Sequence, residues 1–233
     1  QMIYLPFLAE NLPDVSNSFK TRVDFMSIGN MFHPPNRDSV LELKRTWIKI
    51  RKHTAASLHI YGAYANDEIL RMNNPDIGFL VKGWVEDVDV VMQKHRVLLA
   101  PLRFGAGLKG KLFDAMRNDL PSITSWIGSE GMIRQDEKWP GEIISNPEDF
   151  INKAILTYNS EILWNSASSQ CRIVLESNFS KDMAEEFLEK IPRVQKYLQS
   201  HRNRFFTGEI LKSDFQAKHK YLSKYIEMKN SKS

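Results

Sequence analysis

The sequence predicts an α/β fold: a doubly wound parallel sheet of about six strands, followed by a C-terminal helical extension. Short apolar runs alternate with longer amphipathic stretches from Val23 to about Ile144. The runs are apolar throughout rather than at every second position, as in strands covered on both faces. Beyond Pro147 only helical periodicity continues.

Taken in order, residues 1–20 carry Pro6, Asn11, Pro13, Asn17 and Ser18 with little periodicity and read as a linker. Strands are expected at 24–29, 58–62, 78–81, 97–101 and 122–125, each four to six residues long, with a sixth near 142–145. Several stop at a Gly or Pro, as strands do. Between them, 38–51 places Val40, Leu43, Trp47 and Ile50 at helical spacing, with Asn36 or Asp38 as the capping candidate. Shorter helices are expected at 86–95 and 109–118. Right-handed crossovers between parallel strands make this a Rossmann-like domain, assigned to residues 21–190. The late helices fall at 147–159, 161–176, 181–190 and 209–228, and 191–233 forms a basic helical extension.

A hydrophobic share of 42% and a charged share of 26% are those of a soluble globular chain. No apolar run reaches the roughly 18 residues a bilayer span needs. The first ten residues lack the basic start and cleavage site of a signal peptide. Cys171 is the single cysteine, so no internal disulfide forms, and a reducing, cytoplasmic location is expected. The net charge of +4 is concentrated after Val194. That tail reads first as a solvated helix face and second as a peripheral contact with an anionic membrane; nucleic acid is not an expected partner.

The chemistry concentrates in 100–116, APLRFGAGLKGKLFDAM. A buried strand ends at Pro101, a loop with Gly105, Gly107 and Gly110 follows, and a helix starts near Lys109. In an open α/β sheet, ligands bind beyond the carboxyl ends of the strands. Glycines allow close backbone approach, a helix start adds partial positive charge, and Arg103, Lys109 and Lys111 add full charges, which together suit a diphosphate. Asp114, one turn inside the helix, is placed to accept hydrogen bonds from a ribose diol. The alternative is a tight strand-to-helix turn with solvated lysines. Two further glycine-bearing loops, 29–36 and 126–132, leave the same sheet edge.

Those segments, with GFLVKGWVEDV and LPSITSWIGSEGM, come in the order and spacing of the donor domain of group 1 glycosyltransferases. The chain resembles the C-terminal, nucleotide-sugar-binding half of their two-domain GT-B fold over roughly residues 5–189. The resemblance implies that Gly29, Asn30, Arg103, Gly105, Ala106, Gly107, Lys109 and Lys111 surround the donor diphosphate. It implies that Asp114 holds the ribose in place of the usual Glu, and that Trp84 and Val85 flank the base. It further implies a hexosyl transfer, with retention, from a nucleoside-diphosphate sugar to a glycan, lipid or protein acceptor, without a metal cofactor. The acceptor site would belong to an N-terminal domain in cis or trans, around a hinge at Leu5-Pro6-Phe7, so this chain alone would transfer little. Many relatives carry an Arg and a Lys around the first-strand loop, where Asn30 and His33 stand here.

Two rival readings share the fold: a sugar-nucleotide epimerase half, and a non-catalytic interaction module with a decayed site. Asp87 and Asp89 form an Asp-x-Asp pair, but they open a helix, where acidic residues favour the dipole. The six histidines show no ligand spacing.

Overall fold

The computed structural model describes residues 7–15, 18–204 and 208. They fall into two compact units, one ending at Met183 and the other beginning at Ala184. In the first unit the elements run β1 (Val23–Ile28), α1 (Pro34–Thr54), β2 (Leu58–Tyr61), α2 (Asp67–Arg71), a 3-10 turn (Pro75–Ile77), β3 (Phe79–Gly83), α3 (Val88–Met92) and β4 (His95–Ala100). They continue with α4 (Gly110–Arg117), β5 (Ser122–Ser125), α5 (Trp126–Ser129), β6 (Gly141–Ile144), α6 (Pro147–Asn159) and α7 (Glu161–Asn178). Helix α8 (Lys181–Lys196) crosses the boundary between the units, and α9 (Leu198–Asn203) lies in the second. The helix expected at 209–228 lies outside the described residues.

All six strands are parallel, in the order β3-β2-β1-β4-β5-β6. The chain builds outward from β1 to β3, then returns to lay β4 on the other side of β1. The loops leaving β1 and β4 therefore diverge to opposite faces, and a crevice opens between them. Strand β4 shows why its sequence does not alternate. Val97 and Leu99 join the core beneath α1 and α6, Leu98 and Ala100 join the one beneath α4 and α7, and all four are fully buried.

Helix α1 corrects the expected start. It begins at Pro34, not Asp38, and its cap is His33, which makes no side-chain capping bond. Proline fixes φ near the helical value, lacks only an N–H that the first turn leaves unpaired anyway, and pushes the preceding residue into extended backbone. Asn36 and Asp38 thus lie inside the helix. Helix α3 is also shorter than expected: Asp87 caps it by accepting from the Val90 N–H at 3.0 Å, and His95 opens β4 instead of closing the helix. The expected loop at 126–132 begins with the short α5, and α2 and the 3-10 turn lie where no element was expected.

Burial lowers the His95 pKa from 6.5 to about 4; the Val91 carbonyl, which accepts from Nδ1 at 2.8 Å, and Asp24 oppose the shift, while His59 and Lys94 add to it. The folded state therefore resists a proton that the unfolded chain accepts. Stability should fall as pH drops from about 6.5 towards 4. Urea unfolding of the wild type and His95→Gln across that range checks this: the substitution should flatten the slope, and equal slopes would refute it.

Candidate functional site

The crevice at the switch point is built from the first loop, α1 and the 101–109 loop. Gly29 follows β1 and donates its N–H to the Tyr61 carbonyl at 3.2 Å. The Asn30 side chain turns back and accepts from the Phe32 N–H at 2.8 Å. Asn36, from the first turn of α1, donates from Nδ2 to the Asn30 carbonyl at 2.8 Å. Its Oδ1 accepts from Lys111 Nζ at 2.7 Å. Asn36 thus ties the β1 loop to α4 across the crevice. Lys111 has no carboxylate within ion-pair distance among the described residues, and burial, with Lys109 adding, lowers its pKa to about 8.

The other predicted cations are engaged within the chain. Arg103 donates from Nε to Asp38 Oδ2 at 2.9 Å and from Nη2 to Oδ1, a forked pair that pins the 101–109 loop to α1. That hydrogen bonding holds the Asp38 carboxyl below its ordinary range. Lys109 Nζ donates to the Gly107 carbonyl, and its backbone N–H approaches Met132 Sδ at 3.4 Å. Gly105 and Gly107 adopt φ of 133° and 73°, values that side chains rarely tolerate, so the turn depends on them. Ala106 is exposed between them.

The predicted ribose residue Asp114 lines a second opening, whereas the predicted base residues Trp84 and Val85 do not line it. Glu86, Asp87, Val88, Asp89, Asp114 and Arg117 line an open cleft of about 600 Å³, directly after Trp84 and Val85. Trp84 is exposed and Val85 half-buried. Asp114 is half-buried, and burial raises its pKa, with Arg117 opposing and Asp89 adding. Arg117 stands 3.8 Å from Asp114 and 3.6 Å from Asp89, while Asn118 Nδ2 donates to Asp89 at 2.7 Å. Both carboxylates of the Asp-x-Asp pair are therefore occupied, Asp87 with the α3 cap and Asp89 with Arg117 and Asn118. Among the described residues no group of three or more His, Cys, Asp or Glu is placed to hold a metal ion.

Sequence reasoning missed Asn36 and Asp38 as partners of the two cations, and it missed Gly62. The Gly62 φ is 144°, and a Cβ there would lie 1.8 Å from the Gly29 carbonyl oxygen. Nothing in the local sequence reports that contact, because β1 and β2 meet only in the sheet. Phe32, Tyr64, Trp84, Phe104 and Trp126, one after each of β1 to β5, are exposed and rim this edge with aromatic rings. Cys171 is buried in the α7 core and burial pushes its thiol pKa up, so it is packing and not a nucleophile.

A sequence profile described as glycosyl transferases group 1 matches residues 22–160. No curated protein matches the chain. Among solved structures, a TarM mutant from S. aureus, in complex with fondaparinux, alpha-GlcNAc-glycerol and UDP, aligns with a TM-score of 0.60 at 21% identity, over 77% of this chain and 38% of that one. The pneumococcal O-GlcNAc transferase GtfA, in complex with UDP and GlcNAc, aligns with a TM-score of 0.62 at 16% identity, over 79% and 38%. The C-terminal domain of the group 1 protein LpcC from Francisella tularensis aligns with a TM-score of 0.60 at 11% identity, over 76% of this chain and all of that domain. The chain therefore spans 38% of the length of each of the first two and corresponds to one half of a GT-B fold.

Proposed function

Because the chain belongs to the group 1 glycosyltransferases, we propose that its carboxyl-edge crevice binds a nucleoside-diphosphate sugar as the donor for transfer to a glycan, lipid or protein acceptor. The observation that carries this reading is the half-buried, strongly desolvated Lys111 ammonium, held at the switch point by an amide rather than a carboxylate. A buried charge without a counterion is unfavourable unless an anion joins it. A diphosphate laid between the first loop and the 105–107 turn supplies that anion. From there the ribose extends towards Asp114 and the base towards the Trp84–Val85 turn.

In transfer, the developing charge on the leaving diphosphate is stabilised by Lys111, by the N-terminus of α4 and by the backbone of the glycine turn. These groups replace a metal in our reading. Acceptor binding falls to an N-terminal domain in cis or trans, so the isolated chain should bind donor and transfer little. Retention at the anomeric carbon belongs to the same proposal.

A thermal-shift panel with UDP, dTDP, GDP and ADP, with and without magnesium, tests it. A ligand at 100 times its Kd stabilises by about 2.7 kcal/mol, roughly 5–10 °C for a chain of this size. A magnesium-independent shift with one nucleotide is expected. No shift with any of them would favour the interaction module with a decayed site.

A further inference from the structure

We infer that Asn36 is a positioning residue for the donor site: it holds the Lys111 ammonium at the crevice so that a diphosphate receives the hydrogen bonds Asn36 does not take. This rests on the donor reading above. An ammonium has three N–H donors, and among the described residues Lys111 spends one of them, on Asn36 Oδ1 at 2.7 Å. The amide is itself fixed, because its Nδ2 donates to the Asn30 carbonyl at 2.8 Å. It also fills the space over Gly29, where a Cβ would come within 2.7 Å of the amide carbon. Gly29 and Asn36 are therefore a matched pair: the absent side chain of one makes room for the other. The arrangement places on α4 a positive charge that neither Asn30 nor His33 supplies from the first loop.

Asn36 also governs the charge of Lys111. An acceptor on Nζ favours the ammonium over the amine, against burial and Lys109. Of the other charged groups nearby, Asp38 is paired with Arg103, and Glu130 acts at longer range on Lys109, whose pKa it raises against burial. Losing Asn36 thus removes a support for the charged form that no neighbouring carboxylate replaces.

The test follows the reactivity of Lys111 towards acetic anhydride as a function of pH, read by mass spectrometry, beside titration with the best nucleotide of the panel. The wild-type reactivity midpoint should lie near 8. Asn36→Ala should move it down and Asn36→Asp should move it up. Gly29→Ala, which displaces the amide without replacing it, should copy Asn36→Ala. Nucleotide affinity of Asn36→Ala should fall about tenfold or more at pH 8.5 and much less at pH 6, where the lysine is charged in either protein. An unmoved midpoint, or an equal loss of affinity at every pH, would overturn the positioning role. A midpoint that moves in a protein binding no nucleotide would keep the Asn36–Lys111 coupling and sink the donor reading.

Discussion

Gly62→Ala should destabilise the domain by about 3 kcal/mol or more, from a crowded contact and a left-handed backbone together. The new methyl group would sit 1.8 Å from the Gly29 carbonyl oxygen, at a φ of 144°. This contact cannot relax cheaply, because both partners are backbone immediately after the adjacent strands β1 and β2. The Gly62 N–H donates to the Gly83 carbonyl at 2.7 Å, and the Gly29 N–H to the Tyr61 carbonyl. Moving Gly29 also disturbs the space over which Asn36 lies. The substitution should therefore lower nucleotide affinity along with the urea midpoint. Wild-type stability in Gly62→Ala would show that the loop is not packed as described.

Lys111→Met should act on stability and binding in opposite directions. Methionine keeps the length of the stem and removes a desolvated ammonium that has no carboxylate within ion-pair distance among the described residues. The folded-state pKa of about 8 lies below the ordinary lysine value of 10.5, so below pH 8 the fold carries the full penalty of keeping this lysine charged. That penalty fades as pH rises from 8 to 10.5. Lys111→Met should thus be more stable than the wild type at pH 7, with the gain shrinking towards pH 10. Nucleotide affinity should fall by about 1.5–3 kcal/mol, or roughly 10- to 150-fold. Denaturation at two pH values and one nucleotide titration measure both. A less stable protein with intact binding would place the diphosphate elsewhere.

Much of the scaffold is legible in the sequence. Continuous apolar runs such as 97–101 mark strands buried on both faces, and their spacing leaves room for crossover helices. The loop 101–109 stands out because its glycines and cations follow such a strand. Helix starts are less legible. Asn36 and Asp38 look like caps because short polar side chains favour that position, yet Pro34 and Pro35 start the helix and free both side chains for other partners. Short elements such as α2 and α5 offer too few residues for a period to show.

By itself the sequence determined the α/β class and the six parallel strands, because burial and chain stiffness act over a few neighbouring residues, and it singled out the glycine- and cation-bearing segment proposed here for a diphosphate. Tertiary structure alone decided which cation is paired with a carboxylate and which with an amide. Arg103 and Lys111 look alike in the chain, but the fold sets Asp38 against one and Asn36 against the other. Charge, hydrogen bonding and desolvation depend on distance through space, and α1 meets the β4–α4 segment only after the sheet has returned to β1.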